Sequence, residues 1–229
     1  VRKVTVISFA CFLILGLVGT GNALTVDAVT GTWTSVVGGT NVNGIGTNEV
    51  RWGDPVYQYQ SGFRFDGNAP NTFDIGETFS LGQFTHFNFP TYVTGASLAS
   101  ADLSVYLSFS DPSGLNDTLG FTFTLDETTN SASPETNPAN NDFVGFPTAY
   151  ANETFSINNV AYTLRLIGFG DNPNEIIDQF STIETQQNVT NLWAQVTTPT
   201  APVPEPSTIV FMGLGLAGLS GFGRKRFKK

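Results

Sequence analysis

Between residues 24 and 197 apolar and polar positions alternate over short stretches. Val29-Thr30-Gly31-Thr32-Trp33-Thr34-Ser35-Val36-Val37, Leu103-Ser104-Val105-Tyr106-Leu107-Ser108-Phe109 and Leu119-Gly120-Phe121-Thr122-Phe123-Thr124-Leu125 all follow a period of two and are rich in Thr, Val, Phe and Tyr. That pattern predicts strands with one buried face. The same reading places strands at 49–52, 62–65, 77–88, 153–157, 160–169 and 191–197. Turn formers separate them, as in Gly38-Gly39-Thr40-Asn41, Asp66-Gly67-Asn68-Ala69-Pro70-Asn71 and Asp111-Pro112-Ser113-Gly114, and Asn158-Asn159 reads as a tight hairpin turn. No window shows helical periodicity of comparable quality. About eight to ten strands in one domain predict an all-β fold, an antiparallel β-sandwich with jelly-roll-like character, in preference to a barrel. The stretch Asn130 to Asn141, dense in Asn, Ser, Pro and Thr, reads as an exposed loop, and residues 198–203 read as a stiff Pro/Thr linker.

The two ends break the alternation. Arg2 and Lys3 precede an uncharged apolar run from Val4 to Val18, followed by the small-residue exit Gly21-Asn22-Ala23. This order predicts a signal peptide over residues 1–23, removed by signal peptidase. Cys11, the single cysteine, lies inside that run. The exported body would therefore hold no disulfide, no thiolate metal site and no cysteine nucleophile. At the other end Val203-Pro204-Glu205-Pro206-Ser207 leads into a Gly-rich uncharged stretch that closes on Arg224-Lys225-Arg226-Phe227-Lys228-Lys229. As a helix, its roughly 17 uncharged residues would reach about 25 Å, a little short of a hydrocarbon core of about 30 Å. Snorkelling lysines and arginines can close that gap. The basic cluster Arg224, Lys225, Arg226, Lys228 and Lys229 is a membrane stop that belongs on the cytoplasmic side, which puts the preceding domain outside.

Charge sharpens the same division. Seven of the ten basic residues sit in the end segments, so Arg51, Arg64 and Arg165 alone face eighteen Asp and Glu between residues 24 and 203, leaving that body at −15. A surface of this sign excludes nucleic acid as a partner and suits solubility outside the cell, divalent cations or glycans.

The body offers few groups for chemistry. His86 is the only histidine. Alternation sets Phe84 and His86 on one strand face and Thr85 and Phe87 on the other. No cysteine partners it, no Gly-x-Ser-x-Gly elbow is present, and no histidine-rich metal set can form. Thr85, His86 and Asn88 are read as side chains that tie neighbouring strands by hydrogen bonds. Gly170-Asp171-Asn172-Pro173-Asn174-Glu175 clusters oxygen ligands, which makes calcium the one cofactor worth considering, although the spacing is not that of an EF-hand and an ordinary turn is the simpler reading. Paired carboxylates among the eighteen acids would support a glycan-active hydrolase if two of them faced each other. Trp33, Trp52, Tyr57 and Tyr59 are aromatics that stack on sugars where exposed and pack the core where not.

Val-Pro-Glu-Pro-Ser, a short Gly-rich span and a basic end, in that order, resemble the PEP-CTERM sorting signal of exported bacterial proteins. The resemblance implies recognition of Pro204, Glu205 and Pro206 by an exosortase, transient anchoring in the inner membrane of a Gram-negative cell, and delivery to the cell surface or extracellular matrix. A permanent tail anchor is the alternative. Within the body, Leu81-Gly82-Gln83-Phe84-Thr85-His86-Phe87-Asn88, with Arg51-Trp52-Gly53, Ser61-Gly62-Phe63-Arg64-Phe65 and Phe180-Ser181-Thr182-Ile183-Glu184, resembles the choice-of-anchor K, or THxN, family of PEP-CTERM proteins. That resemblance implies a β-rich secreted module and carries no established activity. The expectation is a non-enzymatic, exopolysaccharide- or biofilm-associated surface protein, set against a secreted hydrolase or a purely structural module.

Overall fold

The computed structural model describes residues 23–198, apart from residues 93, 114, 147–151 and 158. The expected signal peptide, linker, Pro-Glu-Pro tripeptide, membrane span and basic end fall almost wholly outside the described residues. Among the described residues fourteen strands follow in chain order: β1 (Ala23–Val37), β2 (Glu49–Trp52), β3 (Asp54–Pro55), β4 (Ser61–Gly67), β5 (Asn71–Asp74), β6 (Thr78–Asn88), β7 (Thr91–Tyr92), β8 (Ser100–Asp111), β9 (Leu115–Asp126), β10 (Asp142–Gly145), β11 (Asn152–Ile157), β12 (Val160–Gly170), β13 (Phe180–Thr182) and β14 (Gln186–Thr197). One six-stranded sheet runs β13-β10-β9-β8-β1-β5, the other β11-β12-β14-β6-β4-β2, and β3 pairs with β7 in a short ribbon. Every pairing is antiparallel.

The alternation seen in the sequence becomes an interior shared by the two sheets. In β8, Ala101, Leu103, Val105, Leu107 and Phe109 are buried while the residues between them are not. Trp33 of β1 sits at the centre, with ring centroids 5.5 Å from Phe63 and 6.1 Å from Phe84 of the opposite sheet and 5.8 Å from Phe123 of its own. Its indole N–H donates to the carbonyl of Asn48 at 3.1 Å, so full burial leaves no polar atom unpaired there. Phe73 and Phe79 stack at 3.7 Å where β5 meets the other sheet. Large rings fill the inter-sheet space, each contributing about 1.5–3 kcal/mol by burial.

Three expectations need amendment. The sandwich is not wound as a simple jelly roll: β8, β9 and β10 form a meander in one sheet, while the first and last strands, β1 and β14, lie in opposite sheets. The polar stretch 130–141 is not wholly exposed. It holds a 3₁₀ turn, Pro138–Asn140, capped by the Asn137 side chain. Asn140 is buried because its amide donates to the carbonyls of Ala132 and Glu135 and its oxygen accepts from the Ala132 N–H, all at 2.9 Å. An asparagine can replace the missing backbone partners of a loop, which is why polarity alone misjudged the segment. Finally, Phe87 on the outward face of β6 is buried too, because the guanidinium of Arg51 lies 3.4 Å from its ring centroid.

Strands β11 and β12 pair as expected, with Ile157 opposite Val160, and Asn159 has φ of 64°, a left-handed backbone that asparagine tolerates.

Candidate acidic cavity and the polar clamp behind it

Strand β6 lies inside its sheet between β14 and β4, with His86 in register with Asn188 and Phe63. Its inward side chains cross the sandwich. His86 is fully buried, and its Nδ1 is 2.8 Å from the Thr182 hydroxyl on β13 of the other sheet. The Asn88 amide donates to the Thr182 carbonyl at 3.2 Å. Thr182 in turn donates its hydroxyl proton to the carbonyl of Asp142 on β10 at 3.2 Å. A hydroxyl has one proton, so Thr182 must accept from His86, which fixes the tautomer as Nδ1–H with a bare Nε2. These contacts join the two sheets, a longer reach than the expected ties between neighbouring strands. Thr85 takes no part: its hydroxyl is buried on the other face without a hydrogen-bond partner among the described residues.

The clamp keeps the imidazole neutral. Burial pushes the His86 pKa down to about 3, because a charged ring would lose its hydration with no anion to replace it. Trp52 of β2 stacks on the imidazole at 6.1 Å and 20°, and Phe63 meets it edge-on at 5.0 Å. Trp52 is 1% exposed, and its indole N–H has no acceptor among the described residues. Gly53 follows with φ of 89°, and a Cβ there would stand 2.3 Å from Cγ2 of Thr91, so only glycine lets the chain turn away from the tryptophan at this point.

Trp52 and Gly53 also form part of the wall of a cavity of about 500 Å³, within the range that holds small ligands. The lining also includes Glu127 just after β9, Glu135 of the 130–141 segment, Glu184 just after β13, and Tyr92, which is more than half exposed. None of the three glutamates enters an ion pair among the described residues: Arg51 pairs with Glu49, and Arg64 with Asp66 and Glu49, elsewhere. Glu184 accepts instead from the Asn130 amide at 2.7 Å and the Thr185 N–H at 3.2 Å. Glu135 accepts from the exposed hydroxyl of Tyr57, whose pKa rises through that bond. Burial pushes the Glu127 carboxyl up, and the charge of Glu184 adds to the rise. Glu184 is raised by burial as well, against its two donors. Asp142, beneath them, accepts from the Thr128 N–H at 2.7 Å yet is pushed up to about 8, chiefly by burial and then by Glu127 and Glu184. The arrangement is a concave site in which burial raises the carboxyls of Glu127 and Glu184, and no cation pairs with Glu127, Glu135 or Glu184 among the described residues.

Sequence reasoning did not find this cavity. It named Glu184 only within a family motif, and Glu127, Glu135, Asp142 and Tyr92 not at all. Of the aromatics it weighed, Trp33 and Trp52 are buried, while Tyr57 and Tyr59 are 67% and 55% exposed. The Gly170–Glu175 stretch closes on itself: Asn172 donates to the Glu175 carboxylate at 2.8 Å and accepts from the Asn174 N–H at 3.0 Å. Among the described residues no group of three or more His, Cys, Asp or Glu side chains is placed to hold a metal ion. Nor is any described helix long and apolar enough to cross a membrane.

A family model described as the PEP-CTERM protein-sorting motif matches residues 202–226, which span Pro204, Glu205 and Pro206 through Arg224, Lys225 and Arg226. The chain thus carries a motif that implies export, a transient membrane anchor and processing by an exosortase. The comparison with curated proteins finds no match.

Proposed function

We propose that this chain is a non-enzymatic surface protein of a Gram-negative cell, exported behind the N-terminal signal peptide, cut near Pro204-Glu205-Pro206, and left in the extracellular matrix to bind exopolysaccharide through the acidic cavity. The sorting motif at residues 202–226 is the observation that carries the reading. Pro204 and Pro206 disfavour helix on either side of Glu205, which suits recognition by a protease at the membrane face. The basic cluster ending in Lys228 and Lys229 holds the tail until it is cut. The body, on its Thr85-His86-x-Asn88 pattern, is a module of the choice-of-anchor K type, with those motif residues serving structure. The experiment is fractionation of cells that express the sorting protease, with wild type beside a Pro204→Ala/Glu205→Ala/Pro206→Ala variant. Wild type is expected shortened and released to the surface, and the variant full-length in the inner membrane. Full-length, membrane-bound protein in both would make the tail a permanent anchor.

A second reading draws on the same glutamates. Carboxyls with raised pKa in a cleft suit a glycoside hydrolase, with one acid and one base or nucleophile. It predicts release of reducing ends from a polysaccharide, lost in either Glu127→Gln or Glu184→Gln, and absence of that turnover returns the cavity to binding.

A further inference from the structure

Both ends of the domain leave at one pole of the sandwich. Ala23, the first residue of β1, pairs with Asp74, and the Gly76 N–H donates to the carbonyl of Val196 at 2.8 Å, one residue before β14 ends. Gln195 stands opposite Thr78, where β6 begins. The cavity lies past the other end of β6: Gln186, two residues after Glu184, stands opposite Asn88, and Thr91 and Tyr92 follow that strand. Eleven residues at about 3.3 Å each put roughly 30–35 Å between the two poles. A chain tethered by the sorting motif at residues 202–226 is held by the first pole, and the cavity pole is the one farther from the tether.

The far pole carries exposed aromatic rings. There residues 54–59 run beside residues 89–92: Asp54 is opposite Tyr92, Pro55 is opposite Thr91, the Val56 N–H donates to the Pro90 carbonyl at 3.0 Å, and the Tyr59 ring lies 5.3 Å from that of Phe89. Tyr57, Tyr59 and Tyr92 are each more than half exposed, and no phenylalanine or tryptophan is so exposed among the described residues. These rings are exposed but held. Tyr57 donates its hydroxyl to Glu135 of the cavity lining, Tyr59 leans on Phe89, and Tyr92 belongs to β7. Apolar rings fixed in water at one pole of an otherwise well-packed domain mark a contact surface.

The chemistry of this pole selects its occupant. A lipid surface lies on the side of the tether, and an apolar protein face is better met by Phe, Leu or Trp than by rings tipped with hydroxyls. An anionic polymer is repelled, because neither Lys nor Arg is among the residues lining the cavity while three glutamates are. A proline-rich peptide stacks on tyrosines, but its prolines bring no N–H for those carboxylates. A neutral sugar chain meets both demands: its C–H faces lie on the rings, and its hydroxyls donate to the glutamates. We propose that Tyr57, Tyr59 and Tyr92 form a stacking platform for a neutral polysaccharide chain beside the cavity. This rests on the reading of the domain as a polysaccharide binder and names its surface and its sugar class.

The test titrates the full-length chain calorimetrically, in a detergent without a sugar headgroup, with the hexamers cellohexaose, laminarihexaose and maltohexaose, with a galacturonic acid hexamer, and with a peptide of the proline-rich sequence 197–206. At least one neutral hexamer is expected to bind, and more tightly than the galacturonic acid hexamer or the peptide. Tyr57→Ala, Tyr59→Ala and Tyr92→Ala are each expected to weaken it about threefold or more, and the triple variant about thirtyfold. Tyr59→Phe and Tyr92→Phe keep the ring and should stay within about twofold of wild type, whereas Tyr59→Leu keeps bulk against Phe89 without a ring and should lose as much as Tyr59→Ala. Tyr106→Ala, at an exposed tyrosine of β8 away from this pole, should change binding less than about twofold. Unchanged affinity in the triple variant overturns the platform and leaves polysaccharide binding to the cavity. Failure of every neutral hexamer to bind overturns both. Tighter binding of the galacturonic acid hexamer overturns the sugar class, and binding of the peptide through these tyrosines with no binding of glycan overturns the proposal in favour of a protein partner.

Discussion

The clamp and the cavity share Asp142 and are opposites otherwise. On one side its carbonyl accepts from Thr182, which holds His86 and Asn88. On the other its carboxyl lies among Thr128, Glu127 and Glu184. The clamp is made of neutral groups bonded across the two sheets, and breaking it strands buried partners. The cavity gathers Glu127 and Glu184, raised chiefly by burial, with Glu135, and none of the three meets a cation among the described residues. Hydrogen bonds across the interior hold the fold together even though His86 Nε2 and Asn88 Oδ1 keep no partner among the described residues, whereas acids gathered in a cavity are where something else is proposed to bind.

The largest expected effect lies at the shared residue. Between the ordinary aspartate pKa of 3.8 and about 8, native Asp142 keeps a proton that the unfolded chain has lost. Stability from this group is therefore full below about pH 4 and falls as pH rises toward 8. The upper limit for so large a shift is on the order of several kcal/mol. Asp142→Asn keeps an oxygen to accept from Thr128 and cannot ionise. Its melting temperature should match wild type near pH 4–5 and exceed it by more than about 5 °C at pH 8. An identical pH dependence in both proteins would break the contrast, because the Asp142 carboxyl would then be no part of the strained side.

His86→Ala comes next, at about 2–4 kcal/mol by urea denaturation, from the lost ring volume beside Trp52 and Phe63 and the stranded Thr182 and Asn88. His86 also tilts the pH profile the other way. Its native pKa lies near 3 against an ordinary 6.5, so below pH 6.5 the unfolded chain takes up a proton that the native state refuses. Stability from this group is lost as pH falls from about 6.5 toward 3. The two slopes overlap and offset each other between about pH 3.8 and 6.5, so wild type should be most stable there, and His86→Ala should lose less on acidification than wild type does. Thr182→Val, which keeps the shape and removes the hydroxyl between His86 and Asp142, is expected to cost about 1–3 kcal/mol.

The clamp was half legible in the sequence and the cavity was not. A lone histidine within Thr85-His86-Phe87-Asn88 stands out in any chain, and alternation correctly separated its face from that of Thr85. Its partner Thr182 belongs to a three-residue strand, too short for a period of two to register. The same holds for β5 and β10, whereas strands of eleven or twelve residues such as β6, β8 and β12 were visible by pattern alone. Glu127, Glu135 and Glu184 lie far apart along the chain and meet only because β9, β10 and β13 are neighbours in one sheet. Nothing local distinguishes them from the other acids, since their environment is made by topology and not by spacing.

The smallest effect sharpens the contrast most cleanly. Asn130 is exposed, and its amide donates to the Glu184 carboxylate. Asn130→Ala removes a surface bond and should change stability by no more than about 0.5 kcal/mol, well below Thr182→Val. Its consequence is electrostatic: the donor favours the ionised form of Glu184, so without it the carboxyl pKa, already raised by burial, rises further. The pH at which Glu184 ionises, followed by the side-chain carbon resonance, should move upward with no change in the denaturation midpoint. A clamp residue cannot give that result, because its loss registers in stability first. A destabilised Asn130→Ala protein with an unmoved Glu184 titration would place Glu184 among the structural groups and remove it from the binding site.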